Sequence, residues 1–588
     1  MTQWYMTAAG ATTNDGTSFA KAFALSNFAT FCTANVVAGD TIHVDAETLA
    51  QSASITVPAG VTLTGDSETT TVFSGAFSGA MVKVAVSTAT AMTVLENLTV
   101  KTSYESGSLL TNVGTPSLSY PTYVNNAVFV VTASSESIPL NTAPVRGVDV
   151  TRDSAVGGNS KFDGFVFNNV TWINGFNILD MGNTQLGCSF VNNTFSLPAT
   201  TVSGGSYARA IITGSLGSPT IYVTNCTITG NVNPTNGCSV EALVCQTASG
   251  STGNPLIVVN GLNMTLTDST TPGTPCYAFC CGKTTGATYT PVIRLEGVIN
   301  LDLSGLTSVS PGIGYPVVSA TNYSGPGVLD LYTCTMYLQG QLDGTTAILA
   351  NTSATIVAGP KGATLMNFGV QPWQTGSSML YAYGVVNGGA NTNITFIPAV
   401  ASISPSSGPV TGGTTVTISL TGSTTGSITG VNFGASAATG VHQGLTVTGT
   451  LTPDATGEYI YTSPTVYTRK DGAYQIAYDA VGDAWDIIVT GMLIGYGYLW
   501  TSQTMLGSYA AGDQGGGVGT ATVSLSQTIT AVSPARSPGM VDVTVTTSGG
   551  VSQAVAADEY TYTHFGPPVE TRTPNVPNVQ NVPNVPTI

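Results

Sequence analysis

The chain has 588 residues, too many for one compact core, so two or more domains or one long solenoid are expected. Only 7% of the residues are charged while 69 are glycine, which excludes both a disordered polyelectrolyte and an ordinary helical enzyme. The formal charge of -16 repels nucleic-acid backbones and anionic membrane surfaces, so neither is expected as a partner.

The first ten residues, Met1 to Gly10, have neither a basic start nor an apolar run, and no stretch is long enough to span a bilayer. Synthesis and folding in a cytoplasm are therefore expected. From residue 1 to about 395, short β-rich runs end repeatedly in turn residues: Ile42–Val44, Ile55–Val57, Val61–Leu63, Leu95–Val100, Asn169–Ile173, Ile221–Ile228, Leu262–Leu266 and Ile293–Leu295. An Asn or Gly marks many units (Asn97, Asn126, Asn169, Asn193, Asn225, Gly261, Gly297), recurring at roughly 24 to 43 residues, a rhythm of irregular stacked coils. Asn suits such a corner because it tolerates left-handed backbone and its amide can bond to the next coil.

The opening segments Asn14–Phe19, Ala22–Leu25, Ala38–Val44 and Gly60–Gly65 resemble the start of right-handed parallel β-helix proteins of the pectate-lyase-like superfamily. The resemblance implies a helix around Phe19 to Val36 that caps the open end of the solenoid; a pair of antiparallel β-domains is the alternative. It also raises polysaccharide cleavage, which needs two carboxylates on one face of adjacent coils. The best local cluster is Asp149, Arg152, Asp153 and Asp163, with Asp180 further along, but it lies in a Gly/Ser-rich stretch that reads as a loop excursion. Asp268, Asp302 and Asp330 stand singly, and His43, His442 and His564 are scattered. No catalytic set is expected, with Asp149, Asp153 and Asp163 as the minority candidates. Nine cysteines lack zinc-knuckle spacing, and the cluster Cys276, Cys280 and Cys281 has no histidine nearby, so buried thiols are expected and no metal or cofactor.

Two later stretches read as halves of one immunoglobulin-like sandwich. Ile403–Pro409, Thr411–Ile418 and Val431–Gly434 form the first; Ile529–Ala535, Ser537–Thr546 and Glu559–Thr563 form the second. Together they resemble a single IPT/TIG domain spanning 398–440 and 528–563, with residues 441–527 inserted at a loop tip. The insert carries Tyr467-Thr-Arg-Lys-Asp-Gly-Ala-Tyr474, Tyr478 and Trp485, and it resembles a small all-β accessory module of phage and bacterial extracellular proteins. Asp471-Gly472 reads as a hairpin turn, and the rings either fill a small core or form an exposed platform. Tyr467, Arg469, Asp471, Tyr474, Tyr478 and Trp485 are the candidate ligand-binding residues.

The tail, 564–588, repeats Asn-Val-Pro, which forbids helix and favours an extended arm lying on a neighbouring subunit. The whole reads as all-β: a parallel β-helix, then an Ig-like β-sandwich carrying an inserted small β domain. A structural protein of a bacteriophage virion surface accounts for it best, made in the host cytoplasm. Its expected partners are other virion proteins, further copies of itself in a trimer, and a host-surface glycan, with no membrane insertion. A tailspike-like polysaccharide depolymerase and a bacterial surface adhesin are the alternatives.

Overall fold

The computed structural model describes residues within 1–564, apart from 132–147, 150–162, 181–186, 198–206, 233–238, 269–275, 307–311, 315–322, 367–379, 499–506, 511–517 and shorter gaps. The Asn-Val-Pro tail from 565 onward and the candidate Asp153 lie outside the described residues. The chain divides into two units, Met1–Pro398 with Gly422–Thr425, and Ala399–Thr421 with Gly426–Ile588.

The first unit is a parallel β-solenoid. Residues that alternate inward and outward along each run stack in register on the next coil. One inward column passes through Ile42, Leu63, Leu95, Val124, Phe167, Phe190, Val223, Val259 and Leu295, all fully buried. A second passes through Val100, Phe129, Trp172, Phe195, Ile228, Met264 and Leu301. In its aromatic part, Phe129 stacks on Trp172 at 4.6 Å between ring centroids. Each such ring pair adds about 0.5–1.5 kcal/mol beyond its buried area. Many outer positions of the same strands are uncharged polar residues, such as Thr62, Asn168, Ser189, Thr224, Asn263 and Thr265, alongside a few charged ones such as Glu96, Arg294 and Glu296.

Between the two columns the backbone turns a corner. Asn97, Asn126, Asn169, Asn192, Asn225, Gly261 and Gly297 all have positive φ there. Asn126 Nδ2 donates to Asn97 Oδ1 at 3.1 Å, and Asn169 Nδ2 donates to Asn126 Oδ1 at 2.9 Å, so the amides bond coil to coil. Where glycine replaces asparagine, the cause is visible: a Cβ on Gly261 would lie 2.4 Å from Asn225 Oδ1. One expected corner residue is corrected. Asn192 takes the left-handed conformation, and its neighbour Asn193 is instead buried inside the solenoid.

The amino-terminal cap also differs from expectation. The helix is confined to Phe28–Asn35, preceded by 3-10 turns at Phe19–Lys21 and Leu25–Asn27 and by the short strand Phe23–Ala24. Phe28, Phe31 and Cys32 form its buried face. Phe23, buried beneath Phe31 at 3.9 Å, holds the preceding chain extended, so no longer helix forms. At the other end, Gly422–Thr425 bond to the last turns: Ser423 N donates to Val385 O and Thr425 N to Phe396 O, each at 2.8 Å.

The second unit is a β-sandwich built from both sequence halves. In one sheet Thr415–Thr421 pairs antiparallel with Val518–Val532, Ile418 opposite Ile529. In the other, Ile428–Phe433 pairs with Gly539–Thr547, Val431 opposite Val545. Val416, Ile418, Phe433, Ile529, Val543, Tyr560 and Tyr562 fill the space between the sheets. The strands Thr439–Thr452 and Val518–Val532 run without a break from the sandwich into the intervening segment, paired from Thr439–Val532 to Thr452–Val518. The intervening segment therefore extends a sandwich sheet through Gly457–Ser463, Val466–Arg469, Tyr474–Asp479, Ala484–Val489 and Met492–Tyr498. Among the described residues no helix is long and apolar enough to cross a membrane.

Candidate functional site

Of the candidate residues of the second unit, Tyr467, Arg469, Asp471, Tyr474 and Tyr478 lie on one hairpin, and Trp485 lies on the next strand. Val466–Arg469 and Tyr474–Asp479 pair antiparallel, Tyr467 opposite Ile476. Gly472 N donates to Arg469 O at 2.8 Å, and Gly472 has φ +75°, which a glycine adopts without strain. Asp471 Oδ1 also accepts from Ala473 N at 2.9 Å, so this side chain fixes the turn.

Arg469 is the hub. Its Nε and one terminal nitrogen bind the two carboxylate oxygens of Asp471 at 2.8 and 2.7 Å, a bidentate pair. The other terminal nitrogen donates to the carbonyls of Asp454 and Thr456 at 2.9 and 3.0 Å. The guanidinium carbon sits 4.2 Å from the Tyr474 ring centroid. Arg469 thereby holds Asp471 below the usual carboxylate range, with Ala473 N assisting. Asp454 is also lowered, chiefly by bonds from Thr456.

Tyr467 meets Tyr461 edge-on at 5.6 Å, and Tyr461 stacks on His442 at 3.5 Å. Burial pushes the Tyr467 hydroxyl up and the His442 imidazole down. Tyr459 and Ile476 are fully buried, whereas Tyr461, Tyr467 and Tyr474 keep part of each ring in solvent. Tyr478 and Trp485 are direct backbone partners on adjacent strands; their side chains lie outside the described residues. Arg469 thus touches both Asp471 and Tyr474, and Tyr467 belongs to a separate cluster with Tyr461 and His442.

Sequence reading missed the clamp behind this hairpin. Glu458 accepts from Ser526 Oγ and Thr528 Oγ1 and pairs with Lys470, while Lys470 N donates to Glu458 O at 2.9 Å. Burial pushes the Glu458 carboxyl up, but those bonds outweigh it and the net shift is down.

The solenoid carboxylates separate. Asp163 is buried, its Oδ1 accepting from Gly187 N at 2.8 Å, a bond that holds one coil to the next. Asp149 is not in a loop: it ends the strand Val148–Asp149, which pairs parallel with Asn177–Asp180 and sets Asp149 directly opposite Asp180. That register corrects the expected loop placement, because two residues of ladder pairing suffice to carry the stretch into a coil. Asp302 and Asp330 are engaged with Lys361 and Arg294 at 3.0 Å each. Among the described residues no cluster of His, Cys, Asp and Glu is arranged to hold a metal ion. The eight described cysteines are all buried.

The fold defines a class: an all-β protein whose first unit is a parallel β-solenoid. No family model matches the chain, and no curated protein matches it. Among solved structures it is similar to the tailspike protein of Acinetobacter phage vB_ApiP_P1, with a TM-score of 0.27, 11% identity, and 90% of this chain and 83% of that one covered. It is also similar to the Dettilon tailspike protein, with a TM-score of 0.30, 10% identity, and 86% and 90% covered.

Proposed function

We propose that the chain is a structural protein of a bacteriophage virion surface, a capsid-decoration, fibre or spike component. The observation that carries the reading is the stacked parallel solenoid, in which every coil adds a full ladder of backbone bonds and a slice of apolar core. Such an element is stiff and depends little on salt, which suits a particle exposed to varied media. The sandwich, read as an IPT/TIG-like domain, presents the hairpin Val466–Asp479. Tyr467 and Tyr474, with Tyr478 and Trp485, make the contact to a host-surface glycan or a neighbouring subunit, while Arg469 and Asp471 hold the turn that positions them. Homotrimeric assembly would multiply weak contacts by avidity.

Two measurements test this. Mass spectrometry and immunogold labelling of gradient-purified particles should find the chain on the virion surface; its absence from particles overturns the proposal. Binding of the recombinant chain to host cells should fall on Tyr474→Ala with the fold intact, and unfolding of that variant would assign the rings to the core instead.

A second reading rests on the Asp149–Asp180 register, since acids on adjacent coils are what glycoside cleavage needs. In that reading the chain degrades host polysaccharide, and Asp149→Asn or Asp180→Asn abolishes release of reducing ends.

A further inference from the structure

A cleft of about 410 Å³ opens in the first unit between the capping helix and the turn that follows Thr48–Gln51. Its volume lies in the range of small-molecule sites, roughly 300–1,000 Å³. Leu25, Phe28 and Ile55 supply apolar wall, and Ser26, Ser52, Ser54 and Gln51 supply the polar groups. No charged side chain is among its lining residues. That composition does not suit a phosphate, carboxylate or ammonium group, each of which needs a counter-charge when it leaves water.

Gln51 is the distinctive member. It is 8% exposed, its Nε2 reaches Met81 O only at a long 3.4 Å, and its Oε1 has no partner among the described residues. A buried amide oxygen left without a donor costs free energy, so this group gains when a hydroxyl or amide donor arrives. The terminal torsion of a glutamine side chain is soft, and one long bond holds it weakly, so the amide can turn toward the cleft. The hydroxyls of Ser26, Ser52 and Ser54 line the same cleft and can bond to the same ligand.

We infer that this cleft binds a neutral saccharide unit, its hydroxyls bonded to Gln51 and the rim serines and its apolar face against Leu25, Phe28 and Ile55. A ring bearing several hydroxyls on one side and C–H groups on the other matches a cleft that is polar at the rim, apolar along the wall and without charge. The site is independent of the tyrosine hairpin.

Saturation-transfer difference NMR on the full chain, with free glucose, galactose, N-acetylglucosamine and glucuronic acid at millimolar concentration, tests the inference. Transfer is expected to at least one neutral sugar and not to glucuronic acid. Gln51→Met removes the acceptor at similar volume, and Ala53→Trp fills the cleft from its rim. Each should lower the transfer roughly fivefold or more, the effect of losing one hydrogen bond or its space. Thermal unfolding of Gln51→Met should stay unchanged or rise, since the unsatisfied oxygen is gone. Tyr337→Ala, at an exposed ring outside the cleft, should leave the transfer intact. Absence of transfer to every neutral sugar, equal transfer to glucuronic acid, transfer that survives both cleft variants, or loss on Tyr337→Ala would overturn it. A high-resolution structure from crystals soaked in the responding sugar that holds only ordered water against Gln51 would do so as well.

Discussion

The indole Nε1 of Trp172 donates to Oδ1 of Asn193 at 3.1 Å inside the solenoid, with both residues about 1% exposed. Asn193 Nδ2 in turn donates to the carbonyls of Phe167 and Val191 at 2.8 and 2.9 Å. One side chain thus satisfies a buried indole and two buried carbonyls across adjacent coils. Asn193→Leu should destabilise the solenoid by about 2–4 kcal/mol, because it strands three polar groups while adding apolar volume. Trp172→Phe should cost less, about 1–3 kcal/mol, since it orphans one oxygen and shrinks the stack. Denaturant unfolding followed by near-ultraviolet dichroism checks the order of the two; equal effects would mean the network is not shared.

The same pair shows why part of the fold was legible and part was not. Alternation of apolar and polar residues marks the columns, because side chains one coil apart meet the same interior. Corner residues were legible as a class, since few side chains tolerate positive φ. Yet Asn192 and Asn193 are chemically identical neighbours, and what separates them is the Trp172 indole and the Phe167 and Val191 carbonyls that hold Asn193 inside. In the hairpin, Asp471-Gly472 announced its turn. The acceptors that hold Arg469 could not be announced, because two of them are main-chain carbonyls, at Asp454 and Thr456, and a carbonyl is present at every position. Asp149 was obscured for a related reason: a two-residue strand is too short to show a period.

Arg469→Lys should loosen the hairpin selectively. A lysine cannot span Asp471 and two carbonyls in different directions, so the fork is lost although the charge remains. Hydrogen exchange of amides in Val466–Asp479 should accelerate by roughly tenfold or more, while the sandwich core around Ile418 and Ile529 stays protected. Asp471 has a lowered carboxyl, so its support is present above the ordinary carboxylate range and is lost as pH falls through its depressed value. Acidification should therefore reproduce the Arg469→Lys pattern in the wild type, and indifference of hairpin exchange to both changes would contradict the hub role.

The end of the solenoid depends on a glycine. Gly422 has φ +83°, and a Cβ there would lie 2.3 Å from the backbone carbon of Gly384. Gly422→Ala should cost about 1–3 kcal/mol through strain and should free the bonds from Ser423 and Thr425 to the last coils. Exchange at the Ser423 and Thr425 amides would report the loss; wild-type protection there would show that the loop yields instead.

Burial sets the thiols apart from solvent chemistry. It pushes Cys32 and Cys334 up to about 12 and Cys226 up to about 11, leaving almost no thiolate at neutral pH. In the native protein at pH 8 these thiols should resist an aromatic disulfide reagent over hours, and in denaturant all should react within minutes. Rapid native labelling of Cys226, detected by peptide mapping, would show that its coil opens.

Asp558 gives the sandwich a pH dependence of unusual sign. The residue is fully buried, Val555 N donates to its Oδ2 at 3.0 Å, and its Oδ1 has no partner among the described residues. Burial, together with the negative charges of Asp542 and Glu559, raises its carboxyl to about 6. A folded value above the unfolded one means that the native state favours the protonated form. The stabilisation is therefore complete below about pH 4, the unfolded value, and is lost as pH rises through about 6. Asp558→Asn keeps an acceptor for Val555 N and carries no charge at any pH. It should raise the unfolding temperature of the sandwich at pH 7 and flatten the decline between pH 4 and 7, with little gain at pH 4. A variant equally stabilised at both pH values would assign the effect to packing, and one destabilised at pH 7 would mean that the carboxylate is held by partners after all.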